Sequence, residues 1–440
     1  MTTSTHLVRQ RRFLPLFITQ LLGAFNDNLF KNAMVLFVVY SVYSSEAAEA
    51  KFSAVASTVF IIPFFLLSSL AGQLADMRDK ARIIRIVKFC EILIMLVGGA
   101  GLVLAWMGIS TTTLAIPLML LALFAMGVHS TFFGPIKYAI LPQHLHKEEV
   151  LAGTGMVEAG TYIAILTGTI LAGWIDVEWA ALGVVLTAIV GYLAGRQVPP
   201  APPQSEPVPL DYNVLRSSWR LIRHTTADAR VFEAIMAISF FWAVGTVLFI
   251  QFPPLAKNVL HASKEVASLF LVIFSVGIAI GSVSINALLK GTVSARWSAP
   301  SVIAMGLCVV AFYLVCRAWP DPGAGLLDVS AFLARPLAIP LLLCLLGIAI
   351  AGGMFVVPLY AFLTTFVDKA ETARTIAANN IVNSGAMVVG SLVAMALSAM
   401  GLPLQEQVLL SAAMCVISAL LGAQLYRSER AAIKRSADPG

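Results

Sequence analysis

Charge is what this sequence has least of. Only 12% of its 440 residues are Asp, Glu, Lys or Arg, where a soluble domain carries roughly a quarter. So few charges cannot cover a water-facing surface. Cysteine is scarce as well. Cys90, Cys308, Cys316, Cys344 and Cys415 all fall inside apolar runs, with no CxxC pair, which argues against a disulfide framework and against a metal site. The six histidines show no HExxH spacing, and HxxxxD, GxxxxGK[ST] and GxSxG patterns are missing. The reading is a non-enzyme with no catalytic residue, no metal and no cofactor.

What is abundant is apolar. Hydrophobic residues make up 59% of the chain, and the mean hydropathy is +0.88. Uninterrupted runs of about 20 residues, enough to cross a bilayer core, recur throughout. The first run is too long, and too polar at its centre, for a cleaved signal peptide. Twelve spans are expected near 13–42, 53–74, 83–106, 113–133, 151–174, 179–195, 231–255, 266–288, 298–318, 337–363, 373–398 and 404–426. Between the sixth and seventh, QVPPAPPQSEPVPLDYN reads as an extended linker. The expected fold is therefore an all-α membrane protein: a six-helix bundle over 1–196, a cytoplasmic linker over 197–230 and a second six-helix bundle over 231–440.

The halves resemble each other. YAIL at 138–141 matches YAFL at 360–363, and TGMVEAG at 154–160 matches NNIVNSG at 379–385, at corresponding spans. Such ordered similarity is expected of parallel repeats in transporters of the major facilitator type. GQLADMRDKAR, between spans two and three, points the same way. It approximates that superfamily's G-x-x-x-D loop with a basic cluster, and makes Gly72, Asp76, Arg78 and Arg82 a candidate gating loop. Gly72 would permit close helix approach, and Asp76 could pair with an arginine or a helix N-terminus.

Orientation follows from the bases. With the N-terminus inside, cytoplasmic segments hold 23 of the 29 Lys and Arg; Lys51, Lys257, Lys264, Arg317 and Arg335 fall outside, and Lys31 within the membrane. Both termini are expected in the cytoplasm. The same distribution accounts for the net charge of +6 without a nucleic-acid partner.

In the linker, NVLRSSWRLIRH places Leu215, Trp219 and Ile222 on one helical face and Arg216, Arg220 and Arg223 on another. That suits a short helix on an anionic membrane surface; a solvated charged linker is the other reading.

The first span carries FNDNLFKN at its middle. Asp27 and Lys31 are four apart, on one face and able to pair, with Gln20 and Gly23 extending that face. Asn28 and Asn32 form a second pair on an adjacent strip beside Asn26. A charge at mid-bilayer costs at least about 2.5–3.5 kcal/mol by insertion scales, so this strip is expected to meet water or cargo in a chamber between the bundles. An internal salt bridge without cargo contact is the bland alternative, although such pairs are poor stabilisers.

Other intramembrane groups follow the same logic. Glu91 could pair with Lys88, and His129 could be a packed histidine or a proton relay. Glu158 has no local base and aligns with Asn383, near Asn379 and Asn380. In FFGPIKYAILP, Lys137 and Tyr138 could hold a phosphate or anchor the span by snorkelling. Trp242 and Gln251 could line a cavity, with Pro253–Pro254 breaking their helix. Gly352–Gly353 and Pro358 suit a moving one.

FNDNLFKNA, FFGPIKYAILP, MVEAGTYIAILTGTILAG, SFFWAVG and GGMFVVPLYA, in this order, resemble the bacterial lysophospholipid transporters. The resemblance is closest to the transporter module sometimes fused to acyltransferase and acyl-carrier-protein synthetase domains, and it runs over nearly the whole chain. It implies a flippase that moves lysophospholipids, mainly lysophosphatidylethanolamine, across the bacterial inner membrane for reacylation. Asp27, Lys137, Tyr138 and Glu158 would be headgroup or gating residues. Some members carry an arginine in span seven; here FWAVGTVL is followed by Phe249, and Lys31 is the base nominated instead. The chain ends at Gly440 after a basic tail, so an acyltransferase partner is expected to be a separate protein. A proton-coupled exporter of amphipathic drugs is the competing transporter, using Asp27, Glu91 or Glu158. A non-transporting scaffold is a third reading.

Overall fold

The computed structural model describes residues 6–42, 46–206, 209–320 and 325–437. Pro207 and Val208 of the linker, and the side chains of Lys51, Pro253, Lys264, Lys434 and Arg435, lie outside the described set. The long helices are α1 (Leu14–Ser41), α2 (Glu46–Met77), α3 (Lys80–Trp106), α4 (Ile116–Ala139), α5 (Val150–Trp174), α6 (Val177–Arg196), α7 (Val214–Thr225), α8 (Ala229–Asn258), α9 (Lys264–Leu289), α10 (Ser298–Arg317), α11 (Ala338–Phe366), α12 (Thr372–Ala399) and α13 (Leu404–Ala437). Among the described residues there is no strand, only an isolated bridge between Ala262 and Leu327.

Among the described residues, eleven helices are long and apolar enough to cross a membrane by length and composition. The twelfth is α1. Its 28 residues suffice for the crossing, but the amides and charges at its middle dilute its apolarity. Large apolar side chains point outward all along the spans, Leu121, Leu307, Leu343 and Leu420 being 58%, 66%, 60% and 67% exposed. Lipid tails are the solvent that tolerates them, while the helix satisfies its own backbone groups.

The helices begin and end near the expected positions, with exceptions that have local causes. Starting at Glu46 rather than near 53, α2 gains a turn or more, and α13 runs to Ala437 rather than 426. Both extensions are rich in Ala, Glu, Lys and Arg, which are strong helix formers in water. Asp79 caps α3 by accepting from the Arg82 amide at 3.1 Å, and Asp228 caps α8 by accepting from Arg230 at 2.8 Å. Pro253–Pro254 do not break α8, which continues to Asn258. Each proline removes one backbone bond, and the last turn is still closed by Val259 N–H donating to Leu255 O at 3.0 Å.

The chain divides into two compact units. One comprises Met1–Glu149, Gly160–His224 and Thr364–Ile381; the other comprises Val150–Ala159, Thr225–Leu363 and Val382–Gly440. In the first, α2 packs on α4, α3 on α4 and α6, and α1 on α6. Leu29, Phe30, Met34, Met95, Met119 and Val184 form its core. In the second, α8 and α10 both pack on α13, and Phe249, Phe252, Phe270, Phe274 and Phe332 interlock edge to face.

In the second unit α9 comes very close to α11 at Gly281. A Cβ built at Gly281 would fall 2.0 Å from Ile350 O. Gly281→Ala must therefore push two backbones apart, an overpacking cost of about 1–3 kcal/mol. The expected result is a clearly lower melting temperature of the purified protein in detergent; an unchanged one would mean the helices are not this close.

Candidate functional site

The polar middle of α1 meets matching groups from α3 and α4 of the same unit. Asn26 Nδ2 donates to Glu91 Oε1 at 2.9 Å. Glu91 Oε2 pairs with the ammonium of Lys88, one turn earlier on α3, and lies 3.1 Å from His129 Nε2 on α4. Next along α4, Ser130 Oγ donates to Asp27 Oδ2 at 2.6 Å and lies 3.5 Å from His129 Nδ1. One connected polar network thus joins three helices.

Its two ends differ. Asn26, Lys88 and Glu91 have no solvent exposure and His129 has 5%. Asp27, Lys31 and Ser130 are only half-buried. The sealed end is built to keep a charge pair in the membrane. Gly23 of α1 and Gly191 of α6 leave room for the lysine head: a Cβ at either would come within 3.0 and 3.3 Å of Lys88 Nζ. The Phe133 ring lies 5.8 Å from that ammonium. An isolated buried ion would be prohibitive, but here the two charges face each other and Glu91 also accepts from Asn26.

The open end is less satisfied. Asp27 Oδ1 is shielded from solvent and meets no hydrogen-bond donor. The expected Asp27–Lys31 bridge is not among the ion pairs of the described residues. The serine of α4 takes one carboxylate oxygen, and the Lys31 ammonium sits 5.6 Å from the Phe60 ring of α2 instead. Nor do Asn28 and Asn32 pair side chain to side chain. Asn28 Nδ2 donates to Ala24 O at 2.8 Å; Asn32 Nδ2 donates to Asn28 O at 2.7 Å and to Thr169 Oγ1 at 3.1 Å. Both amides are spent on nearby groups, which leaves Asp27 and Lys31 as the reactive features of the strip.

The other residues named from sequence are spread over both units. In the first, Lys137 Nζ lies 4.8 Å from the ring of its neighbour Tyr138, while Asn379 is buried and Asn380 half-buried. Asp76 makes both contacts its position suggested. It accepts from the amides of Ala373 and Arg374 at 2.9 and 3.0 Å, at the start of α12, and from Arg374 Nε at 3.1 Å. Gly72 allows this approach, since a Cβ there would lie 2.7 Å from that of Ala377. Arg78 and Arg82 are exposed.

In the second unit Glu158 is buried, 1% exposed. Trp242 Nε1 donates to Tyr360 Oη at 2.9 Å, and so does Asn383 Nδ2 at 3.3 Å. Ser239 Oγ donates to Asn383 Oδ1 at 2.7 Å. Gln251 is buried, its amide donating to Gln407 Oε1 at 3.3 Å. Gly352 and Gly353 serve close packing within an unbroken α11: a Cβ at Gly353 would fall 2.5 Å from Ile278 O. Phe249 stacks edge to face on Phe274 at 4.9 Å, so no base stands in that aromatic cluster.

The sequence model of the Major Facilitator Superfamily matches residues 16–391. A lysophospholipid transporter, LplT, of Salmonella paratyphi B is 27% identical over 384 residues, 85% of each chain. The protein of the same name in Serratia proteamaculans is 25% identical over 394 residues, 86% of each chain. Among solved structures, the human organic anion transporter MFSD10 (TETRAN) superposes with a TM-score of 0.73 at 13% identity, over 94% of this chain and 99% of that one. That likeness concerns the fold alone.

Proposed function

This chain belongs to the Major Facilitator Superfamily, a membrane transporter by that membership, and we propose that its cargo is a lysophospholipid with a zwitterionic headgroup. The observation that carries the reading is the half-buried, incompletely satisfied end of the α1 strip. Asp27 offers an oxygen without a donor, and Lys31, one turn or about 5.4 Å further along, carries an ammonium that no described carboxylate pairs. An ethanolamine headgroup carries an ammonium and a phosphate two carbons apart. It supplies both missing partners at once: its ammonium donates to Asp27 Oδ1, and its phosphate accepts from Lys31. The likeness to proteins named as lysophospholipid transporters supports the same cargo.

The protein acts as a flippase of the bacterial inner membrane, exposing this site alternately to the two leaflets, with both termini in the cytoplasm. Its product is passed to a separate acyltransferase. Residues 1–196 and 231–440 form its two bundles. Lys137, Tyr138 and Glu158 act on the headgroup or on gating, and the Asp76 contacts with α12 belong to the gating loop.

Purified protein in liposomes, without partners, should move labelled lysophosphatidylethanolamine, and a collapsed proton gradient should leave the movement intact. No movement, or movement only of apolar cations with the gradient present, would replace this reading with the exporter. Lys31→Ala removes one charged hydrogen bond, worth about 1.5–3 kcal/mol. The expected outcome is an apparent KM raised about tenfold or more, measured as initial uptake against lysolipid concentration. An unaltered KM would take Lys31 out of the site.

A further inference from the structure

The segment that precedes α8 has a role that cargo transport does not use. α7 is strongly amphipathic, and the structure shows where each face goes. Ser217, Ser218 and Leu221 are buried, with Leu221 packed on Ala377, Ala378 and Ile381 of α12. Leu215 and Trp219 point away from the protein, 70% and 69% exposed. Arg216, Arg220 and Arg223 follow on the adjoining stripe, all exposed. A helix that simply joined two spans through water would gain nothing from a bare Leu–Trp face.

Two features fix its depth. The residues that hold Leu221 begin five positions into α12, which starts at Thr372; at 1.5 Å per residue that is about 8–14 Å along a spanning helix. Only residues 226–228 separate α7 from α8, another span. The first sets α7 beside the outer turns of α12, near the boundary between the headgroup and acyl layers, and the second ties it to the start of a span.

The charge on this surface is positive. Asp211 pairs with Arg216 at 2.9 Å and Arg220 at 3.4 Å, and those arginine contacts hold its carboxyl below the usual range. One carboxylate is shared between two guanidiniums. Arg223 has no ion pair among the described residues, so the stripe keeps a net excess of two positive charges. An apolar edge flanked by arginines complements a phosphate-rich leaflet: leucine and tryptophan enter the acyl boundary, and the guanidiniums meet phosphodiesters.

We propose that α7 is an interfacial anchor that inserts Leu215 and Trp219 into the leaflet it faces and selects anionic phospholipids through Arg216, Arg220 and Arg223. The inference is independent of the cargo, because the anchor is engaged without lysolipid.

The test uses the full chain in nanodiscs of phosphatidylcholine, with or without phosphatidylglycerol, whose acyl chains are brominated near the headgroup. Bromine quenches tryptophan on contact, and the difference between the wild type and Trp219→Phe isolates Trp219 from the other six tryptophans. The expected result is strong quenching of the Trp219 signal, at least twofold greater with phosphatidylglycerol, and loss of that increment in Arg223→Gln. An unquenched Trp219 in both discs places the helix in water and overturns the proposal. Equal quenching in both discs overturns the selection of anionic lipid. In either case transport in liposomes is unaffected, so failure here is distinguishable from failure of the cargo assignment.

Discussion

Replacing Asp27 by asparagine lowers lysophospholipid uptake at least about tenfold, the minimum for losing a hydrogen bond to a charged group, while the amount of inserted protein stays at the parental level. The asymmetry follows from the two carboxylate oxygens. Oδ2 already holds the Ser130 hydroxyl at 2.6 Å, and an asparagine oxygen can still accept that bond, though more weakly than a carboxylate, so the contact between α1 and α4 survives. Oδ1, which has no donor within the protein, becomes an NH2 that repels the cargo ammonium rather than receiving it. Initial uptake rates and quantitative immunoblotting of membranes read the two effects separately. Ser130→Ala, which leaves the charge and removes only its orientation, should cost less than Asp27→Asn. Parental uptake in Asp27→Asn would reduce the strip to packing.

The second large effect is on stability, at the sealed end. Lys88 and Glu91 are both fully buried and paired. Lys88→Met leaves the Glu91 carboxyl without its cation, with only Asn26 and His129 for company, and breaking such a pair from one side costs about 3–5 kcal/mol. The double substitution Lys88→Met, Glu91→Gln removes both charges, and the glutamine oxygen can still accept from Asn26. It should therefore recover most of the melting temperature that the single variant loses in detergent. Equal losses in the single and double variants would show that the two side chains do not act as a pair. The double variant keeps the net charge of the wild type, and neither variant alters a group at the aqueous ends of the bundle.

The spans are legible because apolar runs of bilayer length have few alternative structures; even α1 is identifiable, with a polar strip made conspicuous by its cost. The assembly around that strip was readable only in part. Lys88 and Glu91 are three apart on one helix, and local spacing alone suggests their pairing. Asp27 and Lys31 carry an equally good local signal, yet Ser130 and Phe60 from other helices won both ends of it. Local rules rank pairs within a helix but say nothing about which neighbour arrives. Ser130 itself gives no signal: serines in membrane helices commonly return their hydroxyl to their own backbone, as Ser391 does toward Met387. Pro253–Pro254 read as a break because the penalty for helical proline comes from isolated helices in water, whereas packed spans tolerate it.

Headgroup-resolved binding to the purified protein, compared between the wild type and Asp27→Asn, tests the central claim most directly. Lysophosphatidylethanolamine and lysophosphatidylglycerol share the phosphate and the acyl chain, and differ in the ammonium. The wild type should bind the ethanolamine lipid more tightly, and Asp27→Asn should erase that preference while leaving glycerol-lipid affinity near its original value. A preference that survives the substitution unchanged would contradict the account.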